Sequence, residues 1–94
     1  MKFKVTDSEN ISTVFLNGEI DMDIADDVRE VIFPLIDSGK EVHLNLKDVQ
    51  YMDSSGISVI VESSKRAKDK NTKVELKEVS QPVEKVLALS LIHI

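Results

Sequence analysis

The strongest constraint on this chain is an alternation: short runs of β-branched and aromatic residues take turns with segments whose apolar residues recur every three and four positions. The first two runs, residues 3–7 and 11–16, flank Asp7-Ser8-Glu9-Asn10, turn chemistry that predicts a hairpin. Ile24, Val28, Val31, Ile32, Leu35 and Ile36 then share one face of a helix, with Asp21 or Asp23 as its N-cap and Gly39 at its end. Asp26, Asp27 and Glu30 fall early in that helix, toward the positive end of its dipole. Pro34 lies inside it. A proline there removes a backbone bond and costs about 3 kcal/mol, so a kink or an early stop near Phe33 is expected.

Further along, Val42, Leu44 and Leu46 alternate with His43 and Asn45, the pattern of a half-buried strand. After residues 47–52, Asp53-Ser54-Ser55-Gly56 opens a second helix whose apolar spacing runs through Ile57, Ile60, Val61 and Ser64. Its far end carries Lys65, Arg66, Lys68 and Lys70, read as a solvated helix terminus, with Asn71 as a left-handed stop. Val74 and Leu76 predict a fourth strand. Ser80 is placed to cap a third helix, with Pro82 in its first turn and Val83, Val86 and Leu87 inward. The apolar Leu91-Ile92-His93-Ile94 predicts a last strand. The order describes an α/β domain: a central mixed sheet of about four to five strands, with helices mainly on one face.

Ninety-four residues can bury one modest core, so residues 1–94 are expected to form a single domain. The balance of 17 acids against 12 bases, net −5, opposes a nucleic-acid partner, which needs surplus Lys and Arg. Stacking of bases is equally ill served by one Tyr, three Phe and no Trp. No apolar run reaches the roughly eighteen residues of a membrane span, so no membrane partner is expected. Residues 1–7 lack the apolar stretch and cleavage site of a signal peptide, which points to the cytoplasm. With no cysteine and only His43 and His93, neither a disulfide framework nor a metal site is expected.

The chemistry concentrates at Asp53-Ser54-Ser55-Gly56. Two hydroxyls here stand where a loop becomes a helix and backbone N–H groups gather positive partial charge. A phosphoryl group on Ser54 would add roughly −1.5 to −2 charges and three acceptor oxygens at a terminus that tolerates them. Gly56 would leave room for a partner's backbone. Taken alone, the same four residues equally describe an ordinary N-cap. Nucleophilic catalysis is poorly supported: no glycine stands two residues before either serine, and His43 and His93 show no triad arrangement. A Gly-rich phosphate loop with its lysine is also lacking.

The stretch Val42-His43-Leu44-Asn45-Leu46-Lys47-Asp48-Val49-Gln50-Tyr51-Met52-Asp53-Ser54-Ser55-Gly56-Ile57-Ser58-Val59-Ile60 resembles the signature of the sulfate-transporter and anti-sigma-factor-antagonist (STAS) domain, particularly its bacterial antagonist members. Leu16-Asn17-Gly18-Glu19-Ile20-Asp21 is similar to the family's turn after its second strand, and residues 80–90 to its third helix. The resemblance implies partner switching. An unphosphorylated antagonist binds an anti-sigma factor that is also a serine kinase and so releases a sigma factor; phosphorylation breaks the complex, and a serine phosphatase reverses it. By the same resemblance the modified residue is Ser54, with Ser55 the weaker candidate. The binding face would hold Asp21, Asp23, Asp53, Ser54, Ser55 and Gly56. Any nucleotide belongs to the kinase, so this chain is assigned no cofactor. Many members continue into a further helix after the point where this sequence stops at Ile94, which leaves a weak homodimer an open alternative. Two other readings stand beside this one: an unmodified scaffold of the same fold in a stress-signalling or lipid-transport complex, and, with least support, a serine hydrolase.

Overall fold

The computed structural model describes residues 3–89. Strands β1 (Lys4–Asp7) and β2 (Ile11–Ile20) form the expected antiparallel hairpin, with Lys4 opposite Phe15 and Asp7 opposite Ser12. Helix α1 (Met22–Asp37) leads to β3 (Glu41–Met52), helix α2 (Ser54–Asp69) to β4 (Val74–Lys77), and α3 (Gln81–Leu89) follows. The sheet runs β1-β2-β3-β4, and the β2–β3 and β3–β4 pairs are parallel. Each parallel pair is thus bridged by one helix, as a crossover connection requires. This is the mixed α/β sheet of the sequence reading, with four strands among the described residues; the strand expected at 91–94 lies outside them.

One apolar layer joins the elements. Val14, Leu16 and Ile20 of β2 and Val42, Leu44 and Leu46 of β3 are buried, together with Val28, Ile32 and Ile36 of α1 and Val59 and Ile60 of α2. Full burial of side chains of this size contributes about 1.5–3 kcal/mol each. The alternate residues of β3 and β4 carry charge instead: Glu41, His43, Glu75 and Lys77 lie on the sheet positions between the buried ones and keep contact with solvent. That alternation leaves the two long helices on one side of the sheet.

Three expectations need correction. Helix α1 does not stop near Phe33; it runs through Pro34 to Asp37, and Gly39 at φ +88 follows its C-cap Ser38. The proline ring is exposed, while Ile32 and Ile36 on either side of it are fully buried, and their burial offsets the lost bond. In α2 the buried face is Gly56, Val59, Ile60, Ser63 and Ala67, with Ile57, Val61 and Ser64 only half-buried. Small residues mark its inner side because they let the helix lie close against its neighbours. Ser80 does not cap α3 through its side chain: its hydroxyl donates to the Val49 carbonyl at 2.6 Å.

β2 and β3 are also longer than their apolar alternation suggested. Pairing continues through Asn17↔Asp48, Gly18↔Val49 and Glu19↔Tyr51 to a last rung, Ile20↔Met52. Two register shifts, between Phe15 and Asn17 and between Gly18 and Glu19, put extra residues into β3 and break its period of two. Gly18 at φ +72 takes a left-handed conformation that a side chain would disfavour.

Candidate functional site

The rung Ile20↔Met52 decides the site, because the next residue of each strand is an aspartate that caps the next helix. Asp21 holds an extended backbone, and its Oδ1 accepts from the amides of Asp23 at 3.0 Å and Ile24 at 3.2 Å. Asp53 repeats this, accepting from Ser55 at 2.8 Å and Gly56 at 3.4 Å. The Asp53 amide also donates to the Ile20 carbonyl at 3.3 Å, tying the second cap to the end of the first strand. Two helix N-termini therefore stand side by side at the C-terminal end of the parallel strands. Each carries a carboxylate where the helix dipole favours one.

Ser54, the first residue of α2, is exposed; Ser55 and Asp53 are half-buried. Asp21 is half-buried and Asp23 exposed. Parallel register thus gathers Asp21, Asp53, Ser54 and Ser55, from segments more than thirty positions apart, with Asp23 on the first turn of the adjoining helix. Gly56 is placed differently from the expectation: it is buried, and a Cβ on it would come 2.5 Å from Met52 Cγ and 3.0 Å from both Ile20 Cγ2 and the Ile20 carbonyl oxygen. Its missing side chain is taken up by the chain's own β2 and β3. It sets how closely the first turn of α2 meets the sheet.

Ion pairs bridge the two helices along their length, beside the shared core. Arg66 of α2 makes a two-pronged bond to Asp37 of α1, at 2.8 and 2.7 Å, while its guanidinium lies 4.6 Å from the Phe33 ring centroid. This contact holds the Asp37 carboxyl below its ordinary pKa. Arg29 of α1 reaches Glu62 of α2 at 2.8 Å and Asp26 at 2.8 Å. Such surface pairs stabilise modestly, about 0–1 kcal/mol each, yet they join the helices that carry Asp21 and Ser54.

No Lys or Arg occurs from Asn17 through Val28 or from Asp48 through Ser64, so the two segments that carry the paired caps are acidic or neutral. His43 is not part of this end. It faces the charged side of the sheet in register with Thr13 and Glu75, with Nε2 against Glu41 and 3.5 Å from Glu75. Those two carboxylates are already matched by ammonium groups: Lys73 lies 3.1 Å from Glu75 and 3.9 Å from Glu41, and Lys77 lies 3.0 Å from Glu75. Hydrogen bonds from Lys77 and Lys73 pull the Glu75 pKa down to about 2. The group is an ionic lattice across β3 and β4.

The sequence reading did not single out Met22. It is the first residue of α1, as Ser54 is of α2. A signal for it was present in the parallel between Ile20-Asp21-Met22-Asp23 and Met52-Asp53-Ser54-Ser55, each an apolar strand end, a capping aspartate and the opening of a helix.

The four-stranded mixed sheet thus aligns two capped helix N-termini beside an exposed serine hydroxyl. The STAS domain model matches residues 2–93, and the chain belongs to that family. It is 38% identical over 77 residues to the anti-sigma-B factor antagonist of Bacillus subtilis, covering 82% of this chain and 71% of that protein. Its fold is similar to that of the anti-sigma factor antagonist SpoIIAA in the unphosphorylated form, with a TM-score of 0.81 at 23% identity over 95% of this chain and 80% of that one. The phosphorylated form of Bacillus SpoIIAA superposes with a TM-score of 0.76 at 22% identity, covering 95% and 83%. None of the helices in the described residues is long and apolar enough to cross a membrane.

Proposed function

We propose that this chain is an anti-sigma factor antagonist of the bacterial cytoplasm that works by partner switching. In its unphosphorylated form it binds an anti-sigma factor with serine kinase activity, which frees a sigma factor; phosphorylation of Ser54 abolishes that binding, and a serine phosphatase restores it. The observation that carries this reading is the exposure of Ser54 at the first position of α2, beside the paired caps Asp21 and Asp53. Ser55, half-buried and with its amide engaged by Asp53, offers a kinase less access.

The electrostatics give the switch its direction. Asp21, Asp23 and Asp53 make a surface suited to a basic partner, and adding a dianionic phosphoryl group at its centre changes charge and shape together. Leaving one buried polar group unpaired in the complex would cost about 1–3 kcal/mol, a change of roughly five- to 150-fold in Kd. The intact role of Asp53 as a cap favours one alternative, an unmodified scaffold in which Ser54 merely begins a helix.

The test uses purified anti-sigma-B factor of Bacillus subtilis with ATP. Phosphate mapped to Ser54, absent from Ser54→Ala, together with a roughly hundredfold loss of binding in Ser54→Asp, supports the switch. Phosphate on another residue, or Ser54→Asp binding like the parent, overturns it; equal binding of both forms would favour the scaffold.

A further inference from the structure

Among the described residues, two large apolar side chains are left in solvent, Met22 at 74% and Tyr51 at 48% exposure. Scattered apolar residues on a surface need no explanation. Both lie close in sequence to the last rung of β2 and β3. Met22 follows the capping Asp21 directly, and Tyr51 immediately precedes Met52 of the final β2–β3 rung, opposite Glu19. Both belong to the end of the strand pair that carries Ser54.

Helix geometry accounts for the exposure of Met22. Residues three or four apart share a face, and Met22 stands three before Ala25 on a stripe that continues through Val28, Ile32 and Ile36, all buried. The stripe therefore extends one turn past the core it was built to cover. Around this apolar overhang the chemistry is acidic: Glu19, Asp21, Asp23 and Asp53 flank it, with no Lys or Arg in either contributing segment. A surface of this kind is complementary to an apolar recess rimmed by Arg or Lys. A methionine suits such a recess, since its unbranched side chain adapts to irregular shapes.

We infer that Met22 is the apolar anchor of the face that docks the anti-sigma factor, and that its occupant is a protein recess of methionine size bordered by basic residues. This rests on the antagonist reading and adds to it the residue that anchors the contact. Ser54 and Met22 occupy equivalent positions on neighbouring helices, so a phosphoryl group on Ser54 would have to be desolvated beside the anchor for the complex to close.

The experiment titrates purified Bacillus subtilis anti-sigma-B factor by calorimetry with the parent protein, Met22→Ala, Met22→Leu and Ser54→Asp. Truncation of a central anchor is expected to raise Kd about tenfold or more in Met22→Ala, while Met22→Leu stays within about threefold of the parent. The urea midpoint of Met22→Ala should equal the parent's, because the removed atoms contact solvent. If Met22→Ala binds like the parent while Ser54→Asp loses binding, the anchor is overturned and the antagonist reading stands. If the parent itself neither binds nor is phosphorylated, both fall together.

Discussion

Gly56 approaches Met52 so closely that a Cβ on the glycine would lie 2.5 Å from the Met52 Cγ. The contact is what brings the first turn of α2 down onto the last rung of β2 and β3, and it makes Gly56→Ala an informative substitution. Alanine gains up to about 1 kcal/mol in helix propensity, but overpacking costs about 1–3 kcal/mol, and the Ile20 carbonyl at 3.0 Å is backbone that yields little. A net loss of stability is expected, read as a lower urea midpoint. A midpoint at or above the parent's would show that Met52 moves aside without cost.

Asp21→Ala and Asp53→Ala each remove a side chain that accepts two helix amides. Each should cost about 1 kcal/mol, within a range of about 0.5–2. Asn keeps the acceptor oxygen, so Asp53→Asn is expected to recover most of the loss. Urea unfolding of the four proteins checks this, and equal losses in Asn and Ala would point to the charge instead of the hydrogen bonds.

Pro34→Ala should stabilise the protein. It restores an amide to the helix interior at a site whose ring is exposed, so no packing is lost. The gain of about 3 kcal/mol from removing a helical proline is reduced by about 0.4–1 kcal/mol, because the unfolded chain becomes freer. A rise in Tm of several degrees is the expected result, and a fall would show that the ring supports the packing of Arg66 over Phe33.

Acid should weaken the fold through its paired carboxylates. Glu75 is drawn down to about 2 by Lys77 and Lys73, Asp37 is lowered by Arg66, and Asp7 by Ser12 and Lys40. A group whose folded pKa is depressed contributes stability that is complete above its unfolded pKa and disappears as pH falls through the folded one. For Glu75 the window runs from about 4.5 down to about 2. Chemical denaturation at successive pH values should show Glu75→Gln losing less stability than the parent across that window, with the difference shrinking in high salt.

Much of this fold was legible from side-chain periodicity: the hairpin, the two long helices and the cores of β3 and β4 follow from which residues are apolar and how they are spaced. Periodicity reads faces, however, and does not read backbone pairing. Asn17, Glu19 and Asp48 are polar because they lie where the strands outrun the core, yet their amides and carbonyls still form ladders, so β2 and β3 continued past the point where the signal ended. Helix α2 misled in another way, since its inner face is built on Gly56, Ser63 and Ala67, residues that carry little hydrophobic signal. The family motif drew attention to Ser54. Its neighbourhood with Asp21 depends on the parallel register Ile20↔Met52, a relation between distant segments that no local pattern contains.

The unequal lengths of β3 and β4 also bear on how the edge of the sheet is covered. β4 pairs only from Val42 to Asn45 of a strand that runs to Met52, which would leave the rest of β3 with an unmatched row of amides and carbonyls on that side. Rows of that kind invite strand addition and aggregation. Among the described residues α3 packs against β3 and the Ser80 hydroxyl donates to the Val49 carbonyl, so a helix and one side chain cover part of that row. The third helix thereby covers a stretch of backbone that would otherwise template strand addition.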